Sequence, residues 1–349
     1  MRLSSGSSAH GAALAALTAL LFAAGGATAA AENRVDLSRP VPASGELLAA
    51  AEVSGALAPG LYDRDFGYDE RPGSLGGTYW QMGLGLWAAY GISDAIAVGL
   101  DFSPGGIVIS RYVDGENRRR GRVSDLVFSG RFELWGNDGL AGAGRLGSAP
   151  LEVGLSPRVI IAMPAPDYAQ AAENRFTGEN YIAANQDLHA WGAGLEIDAS
   201  ARLNADWTLR SDHQLDIFLP ADYDSSSLAA YEENELRESL STVEPFDTIW
   251  YRYRYRGAFG VDWRVDEIWD LQPITLEAEY LPPPIIDDLD PLSDTDTLLL
   301  RAGIGAEARI LRSDGKPPFV FRGAYYAPFL GKNADAEHLL ILSMAFKLL

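Results

Sequence analysis

The clearest pattern in the chain lies between Thr78 and Ser103, where apolar and polar positions alternate with a period of two. From Trp80 to Tyr90 the even positions are apolar, mostly large, whereas the odd positions, apart from Trp87, hold glutamine, glycine and alanine. After a short polar turn, the alternation resumes over Ile96–Phe102. A period of two predicts β-strands, and two such runs across a tight turn predict a hairpin.

The length of these strands is typical of membrane-spanning strands. Ten residues separate Trp80 from Tyr90, a climb of about 25 Å for a strand tilted by about 40°. That distance matches the apolar band of a transmembrane β-barrel, which has an aromatic girdle at each edge, whereas strands in soluble proteins usually have about 5–6 residues. The predicted girdle residues are Trp80, Tyr90, Trp191 and Trp207.

The alternation recurs along the chain and predicts about twelve strands between residues 46 and 349. Short turns and long polar loops alternate between these strands, with the connection 136–150 as the exception. An even strand number with short turns on one side and long loops on the other is typical of outer-membrane barrels, whose termini are both periplasmic. The sequence therefore predicts an all-β fold, an antiparallel transmembrane β-barrel, with a soluble β-sandwich as the alternative.

The N-terminus has the features of a secretory signal. Arg2 supplies a positive charge, Ala12–Ala24 is almost entirely apolar, and Ala27–Ala29 offers small residues for cleavage. The apolar run is shorter than the roughly 20 residues of a transmembrane helix. We therefore expect a signal peptide at 1–30, a periplasmic lead-in at 31–45 and the barrel at 46–349.

The polar parity of the predicted strands is rich in charge. Between Ile249 and Arg264, tyrosines and other large apolar residues alternate with arginines and small or acidic residues. An arginine facing lipid at the bilayer midplane costs about 2–4 kcal/mol, so the arginines are predicted to face the lumen. The predicted lumen-lining residues are Arg252, Arg254, Arg256, Arg264, Glu196, Asp198, Arg210, Asp212, Asp216, Glu277, Glu279 and Arg301.

Two interpretations of these charges remain open from the sequence. The arginine ladder Arg252, Arg254 and Arg256 could orient anionic solutes or set ion selectivity. Alternatively, the inward charges of a narrow barrel could pair with each other and stabilise the wall.

Two residues break the strand pattern. Pro157 lies within a predicted strand, and a barrel has no edge strand to accommodate it, so we expect a β-bulge there. His213 falls on the lipid-facing parity, for which the sequence offers no reason.

Composition excludes several classes of function. The net charge of −20 argues against a nucleic-acid partner, and the absence of cysteine excludes disulfides and thiolate chemistry. No cofactor or metal is predicted, because the acidic stretch Asp287–Asp296 does not match a calcium loop and no phosphate loop occurs in a strand–helix context. The basic stretch Arg118–Arg122 favours a solvated loop tip over a contact with anionic lipid head groups.

The histidines give little support for an enzyme. Nucleophilic or general-base chemistry needs a histidine beside a serine or a carboxylate. His213 and Asp212 are adjacent on a strand and point to opposite faces, while His189 shares a parity with Asp187 in a predicted rim loop. The protein is therefore predicted not to be an enzyme, with a hydrolase based on His189 as a minor alternative.

The last strand and two hairpins resemble known outer-membrane proteins. Glu337–Leu349 alternates like the terminal strand that the outer-membrane assembly machinery recognises, although the aromatic residue is Phe346 rather than the final residue. Tyr90–Asp94 and Val123–Leu126 resemble hairpin segments of a broad group of uncharacterised outer-membrane barrels, including those encoded with aromatic meta-cleavage pathways. The resemblance implies a transport-type barrel and contributes no catalytic residues.

Together these patterns predict a channel or transporter in a bacterial outer membrane, reached after secretion across the inner membrane. Small solutes would pass through a narrow charged lumen, and the expected partners are outer-membrane lipid, small solutes and the assembly machinery. A structural or adhesive surface barrel without conduction is the alternative.

Overall fold

The structure is a computed structural model that describes residues 42–62, 65–70, 79–93, 95–111, 117–122, 125–135, 151–162, 190–222, 248–286, 296–310 and 319–347. The predicted signal peptide, Asp187, His189 and most of the acidic stretch 287–296 lie outside these residues, as do the side chains of 118–122. Nothing in the described part of the chain is a helix long and apolar enough to cross a membrane.

Twelve strands form one sheet, which is the wall of the barrel. In chain order they are β1 Leu47–Ala58, β2 Tyr79–Ser93, β3 Ile96–Arg111, β4 in two segments, Asn117–Arg122 and Leu126–Trp135, β5 Leu151–Ile161, β6 Gly192–Arg202, β7 Trp207–Phe218, β8 Tyr253–Arg264, β9 Trp269–Leu281, β10 Thr297–Ile310, β11 Phe319–Lys332 and β12 His338–Lys347.

The sheet closes on itself through its first strand. β1 pairs with β2 on one side and with β12 on the other, where the register runs from Leu48 opposite Lys347 to Leu57 opposite His338. All neighbouring strands in the wall are antiparallel. They are also consecutive in sequence, except for β1 and β12, which close the barrel. The predicted antiparallel barrel of twelve strands is therefore confirmed.

The outer face of the barrel is apolar. Phe128, Leu215, Ile217, Phe259 and Ile304 are all more than two-fifths exposed, while the alternate residues of the same strands are buried or half-buried. A β-sandwich would bury such an apolar face between two sheets, so this outward arrangement excludes the soluble alternative. The apolar belt is what lipid contact requires.

The expected bulge at Pro157 is wrong. Residues on both sides of it keep one register with β4, and the shift in this pair lies instead between Glu133 and Trp135. The register places Gly130 opposite Pro157, and a Cβ at Gly130 would lie 4.0 Å from the proline Cγ. The ring therefore lies at an ordinary contact distance from its neighbour, and the wall accommodates the proline without an inserted residue.

Two small sheets extend the wall at the end opposite the short turns. One joins Gly60–Tyr62, Tyr68–Glu70 and Ala334–Asp335, and the other joins Ala221–Asp222, Thr248–Trp250 and Ile285–Ile286. The alternation predicts one strand over 249–264, but the structure interrupts it at Tyr251 and Arg252, and Arg252 has a φ of 21°. The chain changes direction there because the rim sheet is separate from the barrel wall.

The residues before β1 lie against the inside of the barrel. The Gly45 amide donates to the Gly91 carbonyl at 2.8 Å, and the Gly91 amide donates to the Glu46 carbonyl at 2.9 Å. The Glu46 carboxylate also forms an ion pair with Lys347. Pro42 is fully buried, so the described end of the predicted lead-in is tied to β2 and β12.

Candidate functional site

The inner face of the barrel carries two groups of cross-strand ion pairs. We call the first the loop-side belt; it comprises Glu196, Arg158, Asp216, Arg254, Arg256, Glu279, Arg301 and Glu337. We call the second the turn-side belt; it comprises Arg210, Asp262, Arg264, Asp270, Arg309 and Glu307.

Asp216 is the centre of the loop-side belt on β5–β8. Its side chain is completely buried, with Arg158 Nε at 3.6 Å from one oxygen and Arg254 Nη2 at 3.3 Å from the other. Arg158 also donates from Nη1 to Glu196 at 2.7 Å. The guanidinium of Arg254 lies 5.3 Å from the centre of the Phe218 ring. These contacts hold both arginines along the wall instead of across the lumen.

Glu279 links the other half of this belt. It accepts a hydrogen bond from Arg256 Nε at 3.1 Å and lies 3.9 Å from Arg301 Nη1. Arg301 donates in turn to Glu337 at 3.2 Å, just before β12. The belt therefore continues across β8–β10 to the start of the last strand.

The turn-side belt is built in the same way near the short turns. Arg210 pairs with Asp262 across β7 and β8. Asp270 lies 3.6 Å from Arg264 and also pairs with Arg309, whose guanidinium contacts Glu307 at 3.1 Å. Each described arginine of this belt has at least one carboxylate within ion-pair distance.

The structure places the predicted lumen residues on strands that contribute to this inner face, except for Arg252, which lies outside the strands. Arg252 precedes β8, and its carbonyl accepts a hydrogen bond from the Phe218 amide at 2.9 Å. Arg254 and Arg256 are on the inner face and engaged as described above. Asp212 stands opposite Asp198 on β6, and Glu277 stands opposite Arg301 on β10. The change in chain direction at Arg252 therefore separates this residue from Arg254 and Arg256, the two members of the ladder that lie in β8.

Several members of the belts are absent from the set of residues predicted to line the lumen. Arg158 and Asp262 share the inner parity of their strands, so the alternation could have included them. Asp270 and Glu337 could not be assigned in this way, because one lies at a strand start and the other precedes β12. Their places depend on the register between strands.

The predicted girdle residues lie on the outer face or at its edge. Trp80, Tyr90 and Trp191 are each at least 39% exposed. Trp207 stacks on Trp263 of β8 with ring centres 5.6 Å apart and planes 5° apart. Such rings are suited to the membrane–water boundary.

His213 is exposed on the outer face and has a hydrogen-bond partner at each ring nitrogen. Nδ1 lies 2.8 Å from the Tyr255 hydroxyl, and Nε2 lies 2.8 Å from Ser211 Oγ. Gly257 stands opposite His213, and a Cβ there would overlap the Tyr255 hydroxyl. A neutral imidazole can satisfy both bonds, one as donor and one as acceptor, so the lipid-facing position is explained by local pairing.

A cavity of about 80 Å³ lies inside the barrel where β2–β6 meet. Pro42, Trp87 and Asp101 line it from one side, and Arg131 and Arg158 line it from the other. Arg131 makes two hydrogen bonds of 2.5 Å to the Asp198 carboxylate. No group of three or more metal-ligating side chains occurs within the described ranges.

Comparison with known proteins gives a likeness of fold. No family model matches the chain, and no curated protein matches it. An outer-membrane channel from Pseudomonas putida F1 has a TM-score of 0.64 at 13% identity, covering 90% of this chain and all of that one. A FadL homologue from Pseudomonas aeruginosa has a TM-score of 0.38 at 13% identity, covering 86% and 89% of the two chains. The first likeness shows that this chain has the fold of an outer-membrane channel.

Proposed function

We propose that this protein is an outer-membrane channel that passes small solutes by diffusion through a narrow, charged lumen. The observation that carries the proposal is the closed barrel with an apolar outer face and a charged inner face. An apolar belt suits lipid, and a charged wall keeps water and polar solutes inside. The fold shared with the channel from Pseudomonas putida F1 supports the same assignment.

The belts of ion pairs support a lumen that is charged but narrow. Charges paired across strands lie along the wall, where they stabilise the barrel. A twelve-stranded barrel lies between the small barrels that side chains fill and the wide porins. Passage would therefore be restricted to small solutes and would follow the space that the belts leave open.

Single-channel recording tests the proposal directly. The refolded full-length mature protein, added to a planar lipid bilayer in potassium chloride, is expected to give discrete current steps, and heat-unfolded protein at the same concentration is expected to give none. Swelling of vesicles that contain the protein, in solutions of small neutral sugars, checks passage of uncharged solutes. Silence in both assays from protein with the heat-dependent gel mobility of a folded barrel would overturn the channel and leave a structural surface barrel.

A further inference from the structure

The chain reverses its direction just before β1. β1 runs antiparallel to β2, whereas Ser44 forms a parallel bridge with Gly91 of β2. The reversal takes place at Gly45, whose φ of 76° lies in the left-handed region that glycine adopts readily. Residues 42–44 therefore run in the same direction as β2, which leads to the short turn after Ser93. Followed backwards from Ser44, the chain moves away from the short turns and towards the loop side.

Pro42 shows that this return path lies inside the barrel. Its side chain is fully buried. It lines the cavity together with Trp87 and Ala89 of β2, Gly99 of β3 and Arg131 of β4, all of which belong to the inner face of their strands. The chain at Pro42 is therefore directed along the inner wall and into the lumen.

The wall along this path carries small side chains. Ala89 and Gly91 on β2 and Ala97 and Gly99 on β3 occupy inner positions, whereas β7–β10 carry the arginines and carboxylates of the two belts. At Gly91 the backbone of Ala43 occupies the space of the missing Cβ. Small side chains allow a second chain to lie against this wall, and the cavity of about 80 Å³ borders the same residues.

The segment 31–41 has the length and composition of an occupant for this space. Its eleven residues span at most about 36 Å when extended, which exceeds the roughly 25 Å height of the apolar belt of a membrane barrel. Pro40 and Pro42 fix their own φ at a value of the extended chain and disfavour a helix at Arg39 and Val41, the residues before them. An extended chain needs little width, as a narrow lumen requires.

We propose that the segment preceding Pro42 lies within the lumen along β2–β5 and constricts the channel. The constriction is part of this chain, namely the N-terminus that remains after removal of the signal peptide. Its effect on current rests on the proposed channel function, whereas its location does not. The segment that the sequence predicts to be a periplasmic lead-in is assigned here to the interior of the barrel.

Truncation tests the effect on permeation. Refolded protein that begins at Pro42 is expected to give single-channel steps about twofold or more larger than those of refolded protein that begins at Ala31, because the constriction is removed. Heat-dependent gel mobility checks that both proteins are folded. Equal conductance of the two proteins would overturn the constriction.

A point variant tests the anchor of the segment in the longer protein. Gly91→Ala places a Cβ where the Ala43 carbonyl lies and is expected to raise conductance in the same direction as the truncation. Gly130→Ala, whose Cβ meets its nearest atoms at 3.6 and 4.0 Å, is the matched control and is expected to leave conductance unaltered. Equal conductance of the two variants would overturn the anchoring at Gly91.

Disulfide formation tests the location of the segment without any measurement of current. The chain has no cysteine, so Ser38→Cys can be paired with Ser129→Cys in the cavity lining of β4, or with Ser343→Cys on β12 as the control. Both partner serines are half-buried. Mild oxidation of the folded protein, followed by mass spectrometry of the joined peptides, is expected to show the bond to residue 129 and not to residue 343.

The two kinds of experiment separate the possible failures. Absence of both disulfides would place the segment outside the lumen, and equal yields would overturn the path along β2–β5. A folded protein that forms the bond to residue 129 but conducts no current at either length would overturn the channel function and leave the segment inside the barrel.

Discussion

Asp216 illustrates how a single residue supports the interior of the barrel. Its carboxylate is completely buried between Arg254 on the adjoining strand β8 and Arg158 on β5, which is two strands away. A charge in such a position is stable only while its partners remain. The residue is therefore better understood as a support for the wall than as a selector of solutes.

Replacing Asp216 with asparagine is expected to lower the free energy of unfolding by about 3–5 kcal/mol, because it removes the buried negative charge that Arg158 and Arg254 share. Tryptophan fluorescence during urea unfolding in lipid vesicles measures the change. Asp206→Asn, in an exposed turn, is the control and should change stability by less than about 0.5 kcal/mol. Equal stability of the two variants would show that the Asp216 ion pairs contribute nothing.

The network around His213 permits a second prediction. His213→Leu would leave the Tyr255 hydroxyl and Ser211 Oγ without their partner in lipid, at a cost of about 1–3 kcal/mol. The triple variant Ser211→Ala/His213→Leu/Tyr255→Phe removes every member and is expected to recover most of that loss in the same unfolding assay. If the triple variant is as unstable as the single one, the network does not explain why His213 is tolerated.

At the scale of elements, the contact between the pre-β1 segment and β2 is the most sensitive to backbone shape. Gly91 has no side chain, and the carbonyl oxygens of Pro42 and Ala43 occupy the space where a Cβ would lie. The two hydrogen bonds between Gly91 and residues 45–46 depend on this close approach.

Gly91→Ala is therefore expected to displace residues 42–46 from the inner wall. In a Pro42→Cys background, the rate of modification by a membrane-impermeant thiol reagent should rise several-fold. Gly130→Ala is the matched control, since a Cβ there meets its nearest atoms at ordinary distances of 3.6 and 4.0 Å. An unchanged rate in the Gly91 variant would mean that the segment remains in place despite the overlap.

The whole molecule depends on closure between its first and last barrel strands. Lipid offers no hydrogen bonds to an open strand edge, so β1 and β12 must satisfy each other. The Glu46–Lys347 ion pair lies at the same junction.

Deletion of residues 338–349 is expected to abolish the folded barrel, because it exposes the edges of β1 and β11. The readout is gel mobility with and without heating, which differs only for a folded barrel, together with protease resistance in vesicles. Deletion of residues 225–245, which lie in the long polar connection that the sequence predicts between β7 and β8, is expected to keep both properties. A truncated chain that still shows heat-dependent mobility would contradict closure by β12.

The sequence by itself determined the barrel, its strand number and, within the regular strands, the face on which most side chains lie. Period-two alternation follows from local backbone geometry, so residues such as Arg256 and Phe259 could be assigned to opposite faces without knowing their neighbours. Only the tertiary structure decided the partners, because pairing depends on the register between strands. It brought Glu337 to Arg301, gave His213 two hydrogen-bond partners and placed Pro42 against the inner wall. Apart from the contact between Ser211 and His213, these contacts join residues that are distant in sequence, where local patterning carries no information about which strands meet.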